Sequence, residues 1–258
     1  MNKITLSAIV MLLFAFLVIE NAKADDYSEA MMKAMKKMGD AADKNDKAAL
    51  LKSRGDFERI LQLKKNEWMV NYYLGFVDYM LSRTAVEEKN NDDMKKYTES
   101  ALSLLDKATD VKDDFADAYI MKMAVQGNRW QYEPDKMNDI IAKTQEAKDK
   151  AMKLEPENPR YYLVDGYMTF YTPESFGGGV DKAQGMFEKS WGYFKTYKPK
   201  DETYPNWGND QAAGMIAMCF IKNDKKDEAK KWIDAALEVK PGSGFITGFV
   251  MPEYEKMK

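Results

Sequence analysis

Residues 210–244 read DQAAGMIAMCFIKNDKKDEAKKWIDAALEVKPGSG. Ala213, Ile216, Ala217 and Phe220 recur at the three- and four-residue spacing that places side chains on one face of a helix. Ala229, Ile233 and Ala236 do the same on a second helix, and Pro241 follows five residues later, where the helix cannot continue. Small residues on both faces let two antiparallel helices pack closely. The stretch predicts a helical hairpin.

The pattern returns upstream. Ala151 and Pro156 close one helix, and Pro159 opens the next in its first turn, where a missing N–H is harmless. Ala183 and Phe187 follow on a partner helix, with Ser190 beyond them. Leu74-Gly75 precedes Ala101, Leu105 and Ala108, then Asp113, and Tyr119 opens a further unit. The first unit is the least regular, as terminal repeats of a stack commonly are. It comprises Ser28–Ala42, with Met31, Met32, Met35 and Met38, and Lys47–Leu63, with Leu50, Leu51, Phe57, Ile60 and Leu61 apolar.

These units resemble the 34-residue tetratricopeptide repeat. Ala213 stands at the motif's tryptophan position and Ala217 at its glycine, both compatible with close packing. Tyr162 and Gly166 occupy the aromatic and glycine places of another copy, and Leu74-Gly75 is the motif's own dipeptide. Ser190 replaces the usual alanine and Asp113 the usual proline. The resemblance implies an all-α fold, a right-handed α-solenoid of about five helix-turn-helix repeats forming a single domain over residues 25–258. The tail from Phe245 to Lys258 is expected to dock on the last helix through Phe245, Ile246, Phe249 and Val250. Insertions are expected at Glu87–Asp93, Asn128–Asn138, Thr172–Gly179 and Lys198–Asn209. The last two carry Phe176, Tyr204, Pro205 and Trp207, unusually aromatic for solvent-facing loops.

Whole phrases are also similar to a group of secreted bacterial tetratricopeptide-like proteins of no established activity. They are Asn66-Glu-Trp-Met-Val-Asn-Tyr-Tyr73, Asn158-Pro-Arg160, Phe176-Gly-Gly-Gly179 with Lys182-Ala183, and Pro205-Asn-Trp-Gly208. The Thr172–Gly179 insertion further resembles the periplasmic helical-repeat component of some tripartite solute transporters, although no lipid-anchor cysteine follows the N-terminal apolar run.

That run, Ile4–Ile19, follows Lys3 and precedes Ala22-Lys23-Ala24, the small-x-small pattern of a signal-peptidase site. As a helix it would span roughly 24 Å, short of the roughly 30 Å hydrocarbon core. Residues 1–24 are therefore expected to be a signal peptide, with a periplasmic or secreted mature chain and no stable membrane span after cleavage; an uncleaved anchor is the alternative. Among 258 residues, 39 basic and 42 acidic side chains are finely interspersed. No basic block tracks phosphates, which argues against nucleic acid as a partner. Histidine is absent, which excludes His-based triads, zinc-protease helices and His-ligated haem or copper. The single cysteine, Cys219, lies in an apolar stretch and reads as a small buried hydrophobe.

Gly177-Gly178-Gly179 lacks the following Gly-Lys-Ser/Thr of a phosphate loop and reads as a tight interhelical connection. Asp165, beside Gly166 in an apolar helix, reads as a helix-packing hydrogen bond. No catalytic residue, cofactor or metal site is expected. The inner groove carries the functional signal. The tetratricopeptide resemblance implies that Met69, Tyr72, Phe76, Tyr79 and Met80 line it from one unit. Arg160, Leu163, Tyr167, Phe170 and Tyr171 come from another, and Gln211, Gly214, Met218, Ile221 and Lys222 from the last. Such a groove is aromatic and Met-rich, with rigid contact area from tyrosine and adaptability from methionine. Tyr72, Phe76, Tyr79, Arg160, Tyr167, Phe170, Tyr171, Phe176 and Trp207 are its candidate binding residues. The expected function is an exported scaffold holding a protein or peptide in this groove; the alternative is a periplasmic carrier of an apolar or aromatic small molecule. Against both stands a packing explanation, in which the insertions or the Met-rich first helix fold over the groove and fill it as core.

Overall fold

A computed structural model describes residues 26–257, and every regular element among them is helical. In chain order the helices are α1 (26–43), α2 (Lys47–Leu61), α3 (Glu67–Glu87), α4 (Asn91–Val111), α5 (Ala116–Arg129) and α6 (Met137–Leu154). They continue with α7 (Pro159–Tyr171), α8 (Val180–Phe194), α9 (Asn209–Lys222), α10 (Lys226–Val239) and α11 (Met251–Glu255). The first ten pair as five hairpins, each stacked on the next. The apolar N-terminal run and its cleavage motif lie outside the described residues.

Local chemistry sets the boundaries. Asp46 caps α2 by accepting from the Ala49 amide at 2.9 Å, and Asn90 caps α4 through Asp93 at 3.1 Å. Asn158 caps α7 ahead of Pro159. The turns within three hairpins share one device: Asn45, Lys89 and Asp224 each adopt a left-handed backbone, at φ of 49°, 56° and 55°. The crossing points also repeat. A methyl group on Gly75 would sit 3.0 Å from Leu105, one on Gly166 would sit 2.5 Å from the Phe187 ring, and Ala217 is fully buried. The residue at the close approach is therefore small in each of these hairpins.

Four expectations need adjustment. The Glu87–Asp93 insertion shrinks to residues 88–90, because α3 runs to Glu87 and α4 starts at Asn91. Leu51, read as part of an apolar face, is 43% exposed. The tail forms a π-helical turn at Ile246–Val250 and then α11; Ile246 and Val250 are buried, packing against α9 as well as α10. Phe249 is 39% exposed and stacks on Phe245 instead of docking.

The two ends of the stack meet. Lys240, just after α10, pairs with Asp43 at the end of α1 at 2.7 Å, and the Gly244 amide donates to the same carboxylate at 3.3 Å. No helix among the described residues is long and apolar enough to cross a membrane.

Candidate binding site

The first helices of successive hairpins face inward, and the connection between α8 and α9, residues 195–208, doubles back over their N-terminal halves. The Tyr73 hydroxyl donates to the Thr203 carbonyl at 2.9 Å, and the Trp207 indole N–H donates to the Tyr72 hydroxyl at 2.9 Å. The Trp207 ring lies 5.0 Å from Phe76, and Tyr204 meets Trp68 and Phe115 edge-on. Gly208, at φ 105°, lets the chain leave beside Leu163, where a side chain would not fit. Burial holds the Tyr72 and Tyr73 hydroxyls protonated far above their ordinary range.

This insertion overturns part of the expected groove. Tyr72, Phe76 and Arg160 are buried, with Trp207 packed over them, so these four candidates belong to the core. Arg160 forks the Asp117 carboxylate, with Nη2 3.2 Å from Oδ2 and Nε also bonded. That pair ties α7 to α5. Its Nη1 has no hydrogen-bond partner among the described residues, but the guanidinium carbon lies 4.4 Å from the centre of the Tyr197 ring, which supplies cation–π stabilisation.

Towards the C-terminal ends of α3 and α7, four inner-face side chains keep solvent access: Tyr79 and Tyr167 are half-buried, and Arg83 and Tyr171 are exposed. Tyr79 and Arg83 project from α3, and Tyr167 and Tyr171 from α7. Because α5 lies between α3 and α7, these side chains can meet only across its inner face. There Asn128 donates to Ser82 at 2.7 Å, bracing α5 against α3. Arg83 donates to the Tyr79 hydroxyl at 3.5 Å and keeps solvent access. The phenols of Tyr79, then Tyr167 and Tyr171, hold its guanidinium charged above its already high range. Burial raises Tyr167, with Arg83 opposing, so it remains a neutral phenol near pH 7. The result is a slot with aromatic walls, hydroxyl donors and one cation.

The remaining candidates sit around it. Phe170 packs behind the slot, on Tyr171 and Phe187. Tyr171, 65% exposed, and Phe176, 81% exposed, stand at the rim. Trp207 is committed to Phe76 and Tyr72, so it does not join Phe176 in closing a common cavity. Sequence spacing did not single out Arg83, although it lies four residues after Tyr79 on a helix about two turns longer than α5, α7 or α9; that i, i+4 step was the available signal.

Other motifs settle as structural parts. Gly177 and Gly179 adopt φ of 82° and 115°, and Lys182 closes the turn by donating to the Gly177 carbonyl at 2.6 Å. Asp165 accepts from Lys148 at 2.8 Å. Burial pushes the Cys219 thiol up to about 12, which keeps it protonated and unreactive.

No family model matches the sequence, and no curated protein does. Among solved structures the chain is similar to the HusA haemophore from Porphyromonas gingivalis, at 25% identity and a TM-score of 0.63. That alignment covers 76% of this chain and 94% of the haemophore. It is also similar to a thermophilic tetratricopeptide protein from Thermus thermophilus, at 13% identity and a TM-score of 0.53, covering 80% and 91% of the two chains. The second similarity bears on fold alone.

Proposed function

We propose that this tetratricopeptide-like helical-repeat protein is an exported carrier of a flat aromatic small molecule of the porphyrin kind, and not an enzyme. The observation that carries the reading is the slot where Tyr79, Tyr167 and Tyr171 gather around Arg83: these side chains keep solvent access while the 195–208 connection packs over the other half of the inner face. A planar ligand suits walls of phenol rings, which give large contact area with little side-chain entropy to lose. The similarity to a haemophore over nearly that protein's whole length supports the same class of cargo. Since the chain has no histidine, the porphyrin would be held through its faces and edges and not through the imidazole ligation common at haem sites.

Titration with haem and with metal-free protoporphyrin, followed by the Soret band and by tryptophan fluorescence, tests this. Saturable binding of both is expected, and the Tyr167→Ala/Tyr171→Ala double variant should bind at least about fivefold more weakly, given about 0.5–1.5 kcal/mol for each aromatic contact. Absence of saturable binding by the wild-type chain would sink the reading. A second reading, a scaffold for a protein or peptide segment, is favoured by Phe176 and Tyr171 projecting from the rim. Under that reading a Phe176→Ala variant loses a partner while porphyrin has no effect.

A further inference from the structure

The sequence contains five arginines, and four have carboxylate partners. Arg54 pairs with Asp78 and Glu58, Arg59 with Asp56, Arg129 with Glu133 and Asp139, and Arg160 with Asp117. Arg83 alone has no carboxylate within ion-pair distance among the described residues. It stands instead among phenol hydroxyls in the slot, its one side-chain bond a long 3.5 Å donation to Tyr79. The nearby carboxylate that faces Tyr167, Asp210, is already engaged, accepting from Ser243 at 2.6 Å.

We infer that Arg83 binds an acidic group of the ligand, so that the slot selects flat aromatic molecules bearing a carboxylate. This rests on the slot being the binding site. A guanidinium presents a planar fork of N–H donors that matches a carboxylate in two-point contact. The neutral hydroxyls of Tyr167 and Tyr171 add donors to the same anion without competing for the cation. The aromatic walls take the ring system, and the arginine fixes which edge points outward. A neutral ligand would leave the charge of Arg83 unmatched against a partly desolvating wall, so the same residue that attracts acids selects against uncharged analogues.

The test compares deuteroporphyrin IX with its dimethyl ester, in one detergent-containing buffer, on wild-type protein, Arg83→Gln and Arg83→Lys. Wild type should prefer the free acid by about tenfold to a hundredfold, the usual span for a hydrogen bond to a charged group. Arg83→Gln should lose that preference, binding the acid more weakly and the ester equally or more tightly than wild type does, and Arg83→Lys should recover part of it. Arg83 is solvent-exposed, so unchanged circular dichroism and thermal midpoint are expected of both variants, which separates ligand effects from misfolding. Equal affinity of wild type for acid and ester, or an undiminished acid affinity in Arg83→Gln, overturns the role of Arg83 and leaves the slot reading standing. Failure of wild type to bind either compound overturns the slot reading, and this inference with it.

Discussion

Tyr72 and Tyr171 both fall on inner-face positions by repeat spacing, yet their surroundings have nothing in common. Tyr72 is fully buried, edge-on to Tyr73 and Phe115, and its hydroxyl receives the Trp207 indole N–H. Truncating it opens a cavity among rings that cannot collapse and leaves a buried N–H without a partner. Tyr72→Ala should therefore cost about 3–5 kcal/mol, as large aromatic truncations do. Tyr171→Ala removes a mostly solvated ring and should stay within about 0.5 kcal/mol. Urea denaturation of both variants measures the contrast. A Tyr72→Ala cost below about 1 kcal/mol would mean that the inner face is open there and that the 195–208 connection does not seal it.

At the scale of elements, the hairpins hold together at their small crossing residues. A Cβ on Gly166 would sit 2.5 Å from Cε1 and 2.8 Å from Cδ1 of Phe187, whose ring is fully buried and flanked by Tyr167 at 5.7 Å. The ring has nowhere to slide, so Gly166→Ala should destabilise by about 1–3 kcal/mol despite alanine's better helix propensity. Gly127→Ala is the internal control: nothing lies within 4 Å of its would-be Cβ, and it should be neutral or stabilising by up to about 1 kcal/mol. Thermal midpoints that move alike in the two variants would show that the α7/α8 crossing is looser than described. These crossings were legible in the sequence because a helix hairpin is written in local spacing: Gly75, Gly166 and Ala217 each recur against partner helices carrying alanine, or serine at Ser190, at regular steps. The fate of the groove was not legible. Trp207 reaches Tyr72 across 135 residues, and no local period encodes where such a connection lands. The slot was half visible: the tyrosines fell on counted positions, whereas Arg83 lies one turn beyond the length a standard repeat helix would have.

The whole molecule is closed as well as stacked. An open solenoid contacts only nearest neighbours and can unravel from its ends, but here the Lys240–Asp43 pair joins the last hairpin to the first, and the 195–208 connection bonds α3. Unfolding should therefore expose the tyrosines of the inner face together. Several buried tyrosines titrate above their ordinary range, Tyr161 and Tyr204 among them. Burial pushes Tyr27 up to about 12, and holds Tyr72 and Tyr73 well above the ordinary 10. Below pH 10 both folded and unfolded chains hold these protons, and the stabilisation they provide is complete. Above pH 10 the unfolded chain releases protons that the folded chain retains, so stability falls as pH rises towards the folded values. Each such group contributes a slope of about 1.4 kcal/mol per pH unit, and three together about 4 kcal/mol. Against a typical total of about 5–15 kcal/mol, that places alkaline unfolding above about pH 11. With no histidine in the chain, the urea midpoint should be flat from about pH 6 to 8 and then drop steeply above about 10, with tyrosinate absorbance and helix signal changing together. A midpoint unchanged to about pH 11.5, or tyrosines ionising well before the helices melt, would show that the inner face admits water and that the closure joining the two ends does not hold in solution.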